Sequence, residues 1–100
     1  MSKFRVYEAV DRPGYILDIQ ADVLRLDLDT RVVVPLLPLS RAPRPAQVLN
    51  PVFTIAGVDH VMATQFIVTL RQRSIGAEVA DLSPRYDEIV GAMDMLFHGF

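Results

Sequence analysis

One hundred residues, 51% of them apolar and 22% charged, read as one small globular domain with a thin core, which excludes a disordered chain. A net charge of −2 and a single lysine, Lys3, exclude the clustered cations that general nucleic-acid binding needs. The absence of cysteine removes disulfides, thiolate chemistry and cysteine zinc sites, and the longest apolar run, Val32 to Leu39, is broken by Pro35 and Pro38 and too short to cross a bilayer.

The opening residues carry no apolar core of a signal peptide, so a cytoplasmic location and no membrane contact are expected. Phe4 to Val10 alternates loosely and predicts a strand. Asp11-Arg12-Pro13-Gly14 predicts a turn, because Pro presets φ and Gly supplies a positive one. Tyr15 to Ala21 predicts the returning strand of a hairpin, with Tyr15, Leu17 and Ile19 on one face and Ile16, Asp18 and Gln20 on the other.

Asp22 to Thr30 alternates leucine with charge, as a strand could, but the favoured reading is a connecting loop in which Val23 and Leu24 are only partly buried. Thr30 to Leu37 is valine-rich and predicts a strand. Its two apolar faces call for cover on both sides, and in a chain this small another subunit is one source of the second. Pro35 marks an edge or a bulge. Pro38 to Pro51, with Pro43, Pro45, Arg41 and Arg44, predicts a stiff solvated connection or an exposed binding loop.

Val52 to Ile55 and Asp59 to Thr64 predict a hairpin around Ala56-Gly57-Val58. Phe66 to Leu70 then reads as a turn, Leu70 to Ile75 as an edge strand, and Gly76 to Leu82 as a short connection. The strongest signal is the last segment, Ser83 to Phe100. Ser83 is placed to cap a helix, Pro84 suits its first position, and Asp87 and Glu88 suit its positive end. Tyr86, Ile89, Val90, Met93, Leu96 and Phe97 form the predicted buried stripe, opposite Gly91, Ala92 and Met95. Gly99 predicts the stop. The sum is mainly β, a small antiparallel barrel or two-sheet fold with one C-terminal α-helix lying across it.

Little chemistry is visible. His60 and His98 have no metal-ligand spacing, and His60 reads as a solvated strand-end residue. No glycine-rich phosphate loop and no nucleophile elbow occur, and Asp18 and Asp22 make no fixed acid/base pair on a strand and loop. These residues describe a small binding module, without a catalytic residue, metal or cofactor.

Four stretches together carry a resemblance: Asp18 to Asp22 (DIQAD), Val32 to Leu36 (VVVPL), Ile75 to Ser83 (IGAEVADLS) and Met95 to Phe100 (MLFHGF), supported by Phe4 to Tyr7. In this order, from end to end, the chain resembles the CcdB toxin family. The resemblance implies an SH3-like barrel with a C-terminal helix, and a cytoplasmic homodimer that is the toxin of a type II toxin–antitoxin module. It further implies that the protein is no enzyme but a poison of DNA gyrase, which binds the GyrA subunit and traps the cleaved-DNA complex. A CcdA-like, partly disordered antitoxin would wrap the dimer, and the toxin alone would not bind nucleic acid directly. Carried over, the gyrase-binding residues are Val23 and Leu24 from the loop, then Asp94, His98, Gly99 and Phe100. The familiar ending of the family is Trp-Gly-Ile, where this chain has His98-Gly99-Phe100, and Asp94 stands where an Asn is familiar. Two alternatives accompany this reading: a non-toxic relative that binds antitoxin or regulates its operon, and a MazF-like ribonuclease toxin on the same fold.

Overall fold

The computed structural model describes residues 2–100. Seven strands form one antiparallel curled sheet: β1 (Arg5–Ala9), β2 (Tyr15–Asp18), β3 (Thr30–Pro38), β4 (Val52–Ile55), β5 (Val58–Met62), β6 (Val68–Arg71) and β7 (Ile75–Asp81). Among the described residues one α-helix, α1 (Tyr86–His98), follows them. The sheet order is β4-β5-β3-β2-β1-β7, with β6 also paired to β3.

The long β3 sets this arrangement. One of its edges carries β2, from Asp18↔Val33 to Tyr15↔Leu36. The other edge is divided, with β6 along Thr30 to Val33 and β5 along Leu36 to Pro38. Pro35 falls in the gap between these two partners, where the Ala63 N–H donates to its carbonyl at 3.0 Å. A residue with no N–H is tolerated at such a switch.

The alternation expected of β2 is present. Leu17 and Ile19 enter the main core with Phe4, Val6, Val34, Leu36, Phe53, Ile55 and Met62. Ile16 turns to the other face, where Tyr7 and Val33 form a second cluster covered by Val68, Leu70 and Ile75 of the same chain. The expected cover on both faces of β3 is therefore supplied here at least partly from within, by β6 and β7.

Several expectations need correction. Gly76 to Leu82 is no connection: Ile75–Asp81 is a seven-residue strand paired with β1. The edge strand lies earlier, at Val68–Arg71, and Gln72–Ser74 is a short 3-10 turn. The register between β1 and β7 slips at two bulges, and a Cβ on Gly76 would meet the Glu8 carbonyl oxygen at 3.1 Å. Glycine there permits the close backbone approach that a bulged pair demands.

Ser83 does not cap α1. Ser83–Arg85 is a 3-10 turn, and the helix begins only at Tyr86. The capping relation runs the other way, with the Ser83 N–H donating to Asp81 Oδ1 at 2.9 Å. That bond holds the Asp81 carboxyl below its usual range. Arg85 then pairs with Glu88 (Nη2 to Oε2, 2.8 Å) and lies over the Phe53 ring at 4.8 Å, which ties the helix start to the sheet.

The buried face of α1 is also rotated from the predicted stripe. Ile89 and Ala92 are fully buried, Val90 and Met93 partly, while Tyr86 and Phe97 are exposed. Ala92, expected on the outer face, is the contact that lets the helix approach the barrel closely. Gly99 ends α1 as predicted, at φ 80°, with its N–H donating to the Met95 carbonyl at 3.0 Å.

The β4–β5 hairpin closes through Ala56 (φ 51°) and Gly57 (φ 79°), flanked by the pair Ile55↔Val58. Positive φ at both turn positions is the conformation that Asn-Gly favours, and Ala is strained at the first. Ala56→Asn is expected to stabilise the fold by about 0.5–1 kcal/mol, read as a rise in the denaturant midpoint at unchanged slope.

Candidate functional site

The predicted site residues fall into two exposed groups. The first is a 3-10 turn, Asp22–Leu24, between β2 and β3. Val23 is 79% exposed and Leu24 38%, more open than the partial burial expected from sequence. The second is the end of α1, where Asp94, His98, Gly99 and Phe100 are all exposed, Phe100 at 84%. The His98 and Phe100 rings lie 6.0 Å apart at 36°. The left-handed Gly99 turns the chain so that these two rings come together at the helix end. Among the described residues, no hydrogen bond, ion pair or ring contact joins the Val23–Leu24 turn to the helix end within one chain.

Behind the turn lies a polar core that sequence reasoning missed. Asp18 and Arg31 are fully buried and ion-paired, a partnership that the sequence reading did not anticipate. The Gln20 N–H donates to Asp18 Oδ1 at 3.1 Å. Burial pushes the Asp18 carboxyl up, and the Arg31 and Gln20 hydrogen bonds pull against it. Asp22 reaches the same guanidinium at 3.7 Å, and its Oδ1 accepts the Lys3 N–H at 2.7 Å. The spacing of DIQAD on a strand held a clue, since Asp18 lies on the face that the alternation turned away from the main core.

His60 is also misplaced by the sequence reading. It is buried, its Nδ1 lies 2.8 Å from the Val58 carbonyl, and its ring stands edge-on to Tyr15 at 5.3 Å. These contacts make it a packing residue. The proline-rich segment is likewise more than a solvated link: Asn50 is buried, donates to the Met62 carbonyl at 3.0 Å, and accepts the Ala46 N–H at 3.0 Å.

A cleft of about 500 Å3 contains none of the predicted site residues. It lies between the β1–β2 turn, β3 and β6, with a mainly apolar wall that includes Tyr15, Leu36, Phe66 and Leu70. Its only charged lining residues are Arg12 and Arg41. Among the described residues, no cluster of His, Cys, Asp and Glu could hold a metal ion, and no helix is long and apolar enough to cross a membrane.

No curated protein matches the chain at significance. Solved structures do. Toxin MazF-mt6 of Mycobacterium tuberculosis superposes with a TM-score of 0.78 at 14% identity, over 93% of this chain and 95% of that one. An endoribonuclease in complex with its cognate antitoxin, from a mycobacterial species, gives a TM-score of 0.79 at 16% identity, over 97% of this chain and 94% of that one. At such identities the likeness shows a shared fold, a mainly β half-barrel with one C-terminal helix, and nothing of chemistry. The family model described as CcdB protein matches residues 3–99. That match spans nearly the whole chain, including both exposed groups, and the chain belongs to the CcdB family.

Proposed function

We propose that this chain is the toxin of a type II toxin–antitoxin module and acts by binding the GyrA subunit of DNA gyrase and trapping the cleaved-DNA complex. The observation that carries this reading is the pairing of family membership with a large aromatic side chain, Phe100, left 84% exposed at the end of the terminal helix. An aromatic ring so placed offers a partner a large apolar area to bury, the kind of contact that dominates interface hot spots. In a cytoplasmic homodimer, two copies of His98, Gly99 and Phe100 near the two-fold axis would double this anchor. Val23 and Leu24 would add a second apolar contact, and Asp94 a polar one at the rim.

The proposed function is binding, not catalysis, and needs no cofactor. A CcdA-like antitoxin is the second partner. A disordered chain with acidic and apolar side chains would suit the cleft, whose wall is mainly apolar and whose only charged lining residues are Arg12 and Arg41. One of the structural relatives is itself an endoribonuclease in complex with its cognate antitoxin.

Expression in a gyrase-sensitive host tests the reading. Growth arrest with a DNA-damage response, abolished by a gyrase mutation, is the expected result. Normal growth with soluble protein would count against it and favour the non-toxic relative. The shared fold with a ribonuclease gives a second reading. Cleavage of RNA by the purified protein would put that reading first.

A further inference from the structure

The connection from Asp22 to Asp29 carries four apolar side chains outward: Val23, Leu24, Leu26 and Leu28, with Leu26 89% exposed. Its backbone is nevertheless ordered by turns. The Leu24 N–H donates to Ala21 O and the Arg25 N–H to Asp22 O, both at 3.1 Å. The Asp27 and Leu28 N–H groups both donate to Leu24 O, at 3.1 and 3.0 Å. A segment that shows leucine to water while satisfying its own backbone is shaped before any partner arrives.

The root of this segment is Asp22, held from two sides. Its Oδ1 accepts the Lys3 N–H at 2.7 Å and lies 3.7 Å from Arg31 Nη2. Arg31 is fully buried and paired with the fully buried Asp18, so this cation has no freedom to turn away. Its Nε and Nη1 have no protein partner, which leaves the two carboxylates as its main compensation. Charge completes the picture. Asp22, Asp27 and Asp29 against Arg25 give the segment −2, equal to the net charge of the whole chain. Asp29 lies 4.0 Å from Arg71, but both side chains are solvent-exposed and screened.

We infer that Asp22, gripped by Arg31 and the Lys3 N–H, is the positioning residue of a preformed docking segment in which Leu26 and Leu28 extend Val23 and Leu24, and that this segment fits an apolar groove bordered by Arg or Lys. The partner's identity as GyrA rests on the function proposed above; the positioning by Asp22 does not.

The test uses the full chain, its Asp22→Ala, Asp22→Asn and Leu26→Ala variants, and a purified GyrA fragment. Amide hydrogen exchange and titration are measured on each. Asp22→Ala is expected to speed exchange at Leu24 and Arg25 about tenfold and to weaken GyrA binding by at least about tenfold. Asp22→Asn keeps an acceptor for the Lys3 N–H and is expected to recover part of both. Leu26→Ala, at an open position, is expected to leave exchange unchanged and weaken binding about tenfold. Exchange in Asp22→Ala equal to wild type overturns the positioning role. Wild-type affinity in Leu26→Ala overturns the extended surface. A wild-type chain that leaves the fragment unbound defeats the gyrase reading alone, and exchange then still decides the role of Asp22.

Discussion

Asp18→Ala is expected to destabilise the fold by about 3–5 kcal/mol, enough to lower Tm by about 15–30 °C in a chain of this size. The substitution removes the main carboxylate from a guanidinium that is itself fully buried. Arg31 would retain the Gln20 carbonyl at 3.4 Å and the half-exposed Asp22, neither of which neutralises it fully. A small domain has only about 5–15 kcal/mol of stability in total, so much of it depends on this pair. Burial pushes the Asp18 carboxyl up against the pull of its hydrogen bonds, so the attraction within the pair is set against a desolvation cost. Replacing both charges, as Asp18→Val with Arg31→Met, is therefore expected to restore most of the loss. Thermal and denaturant unfolding of the single and double variants check this. An Asp18→Ala chain that melts within a degree or two of wild type would show that the pair is not holding the fold.

How much of this was legible in the sequence varies with range. Local patterns were readable: the two faces of β2, the turn at Ala56-Gly57 and the stop at Gly99 follow from alternation and backbone conformation. β7 was not, because Gly76, Ala77 and Ala80 have weak strand propensity and Glu78 and Asp81 look like loop residues. Its strand character comes from pairing with β1, distant in sequence. The Asp18–Arg31 pair joins positions 13 residues apart through the β2–β3 register, which composition cannot reveal. The rotated face of α1 has the same origin. Periodicity placed the large residues inside, whereas the barrel selected small Ala92 and left Phe97 outside. The candidate site came from resemblance to the CcdB family, and no periodicity or spacing marks Val23, Leu24 or Phe100 as special.

Phe100→Ala is expected to weaken GyrA binding by about 100-fold, a loss of about 2–3 kcal/mol, without moving Tm. The two halves of that statement have separate grounds. Phe100 lies beyond the end of α1 with most of its surface in water, so its removal takes nothing from the core. The same exposure leaves a full aromatic area for a partner to cover. His98 beside it, with ring centroids 6.0 Å apart, would be the weaker half of the proposed anchor. A neutral imidazole buries less area than an indole and stacks less strongly on a guanidinium. His98→Trp is accordingly expected to tighten binding by about tenfold. Equal affinities for wild type, Phe100→Ala and His98→Trp would remove the helix end from the binding surface.

The most direct measurement is a titration of the purified wild-type protein with a GyrA fragment. Saturable binding, with a midpoint well below high micromolar concentration, is the predicted result. Absence of binding at high micromolar fragment would contradict gyrase as the target while leaving the CcdB fold intact.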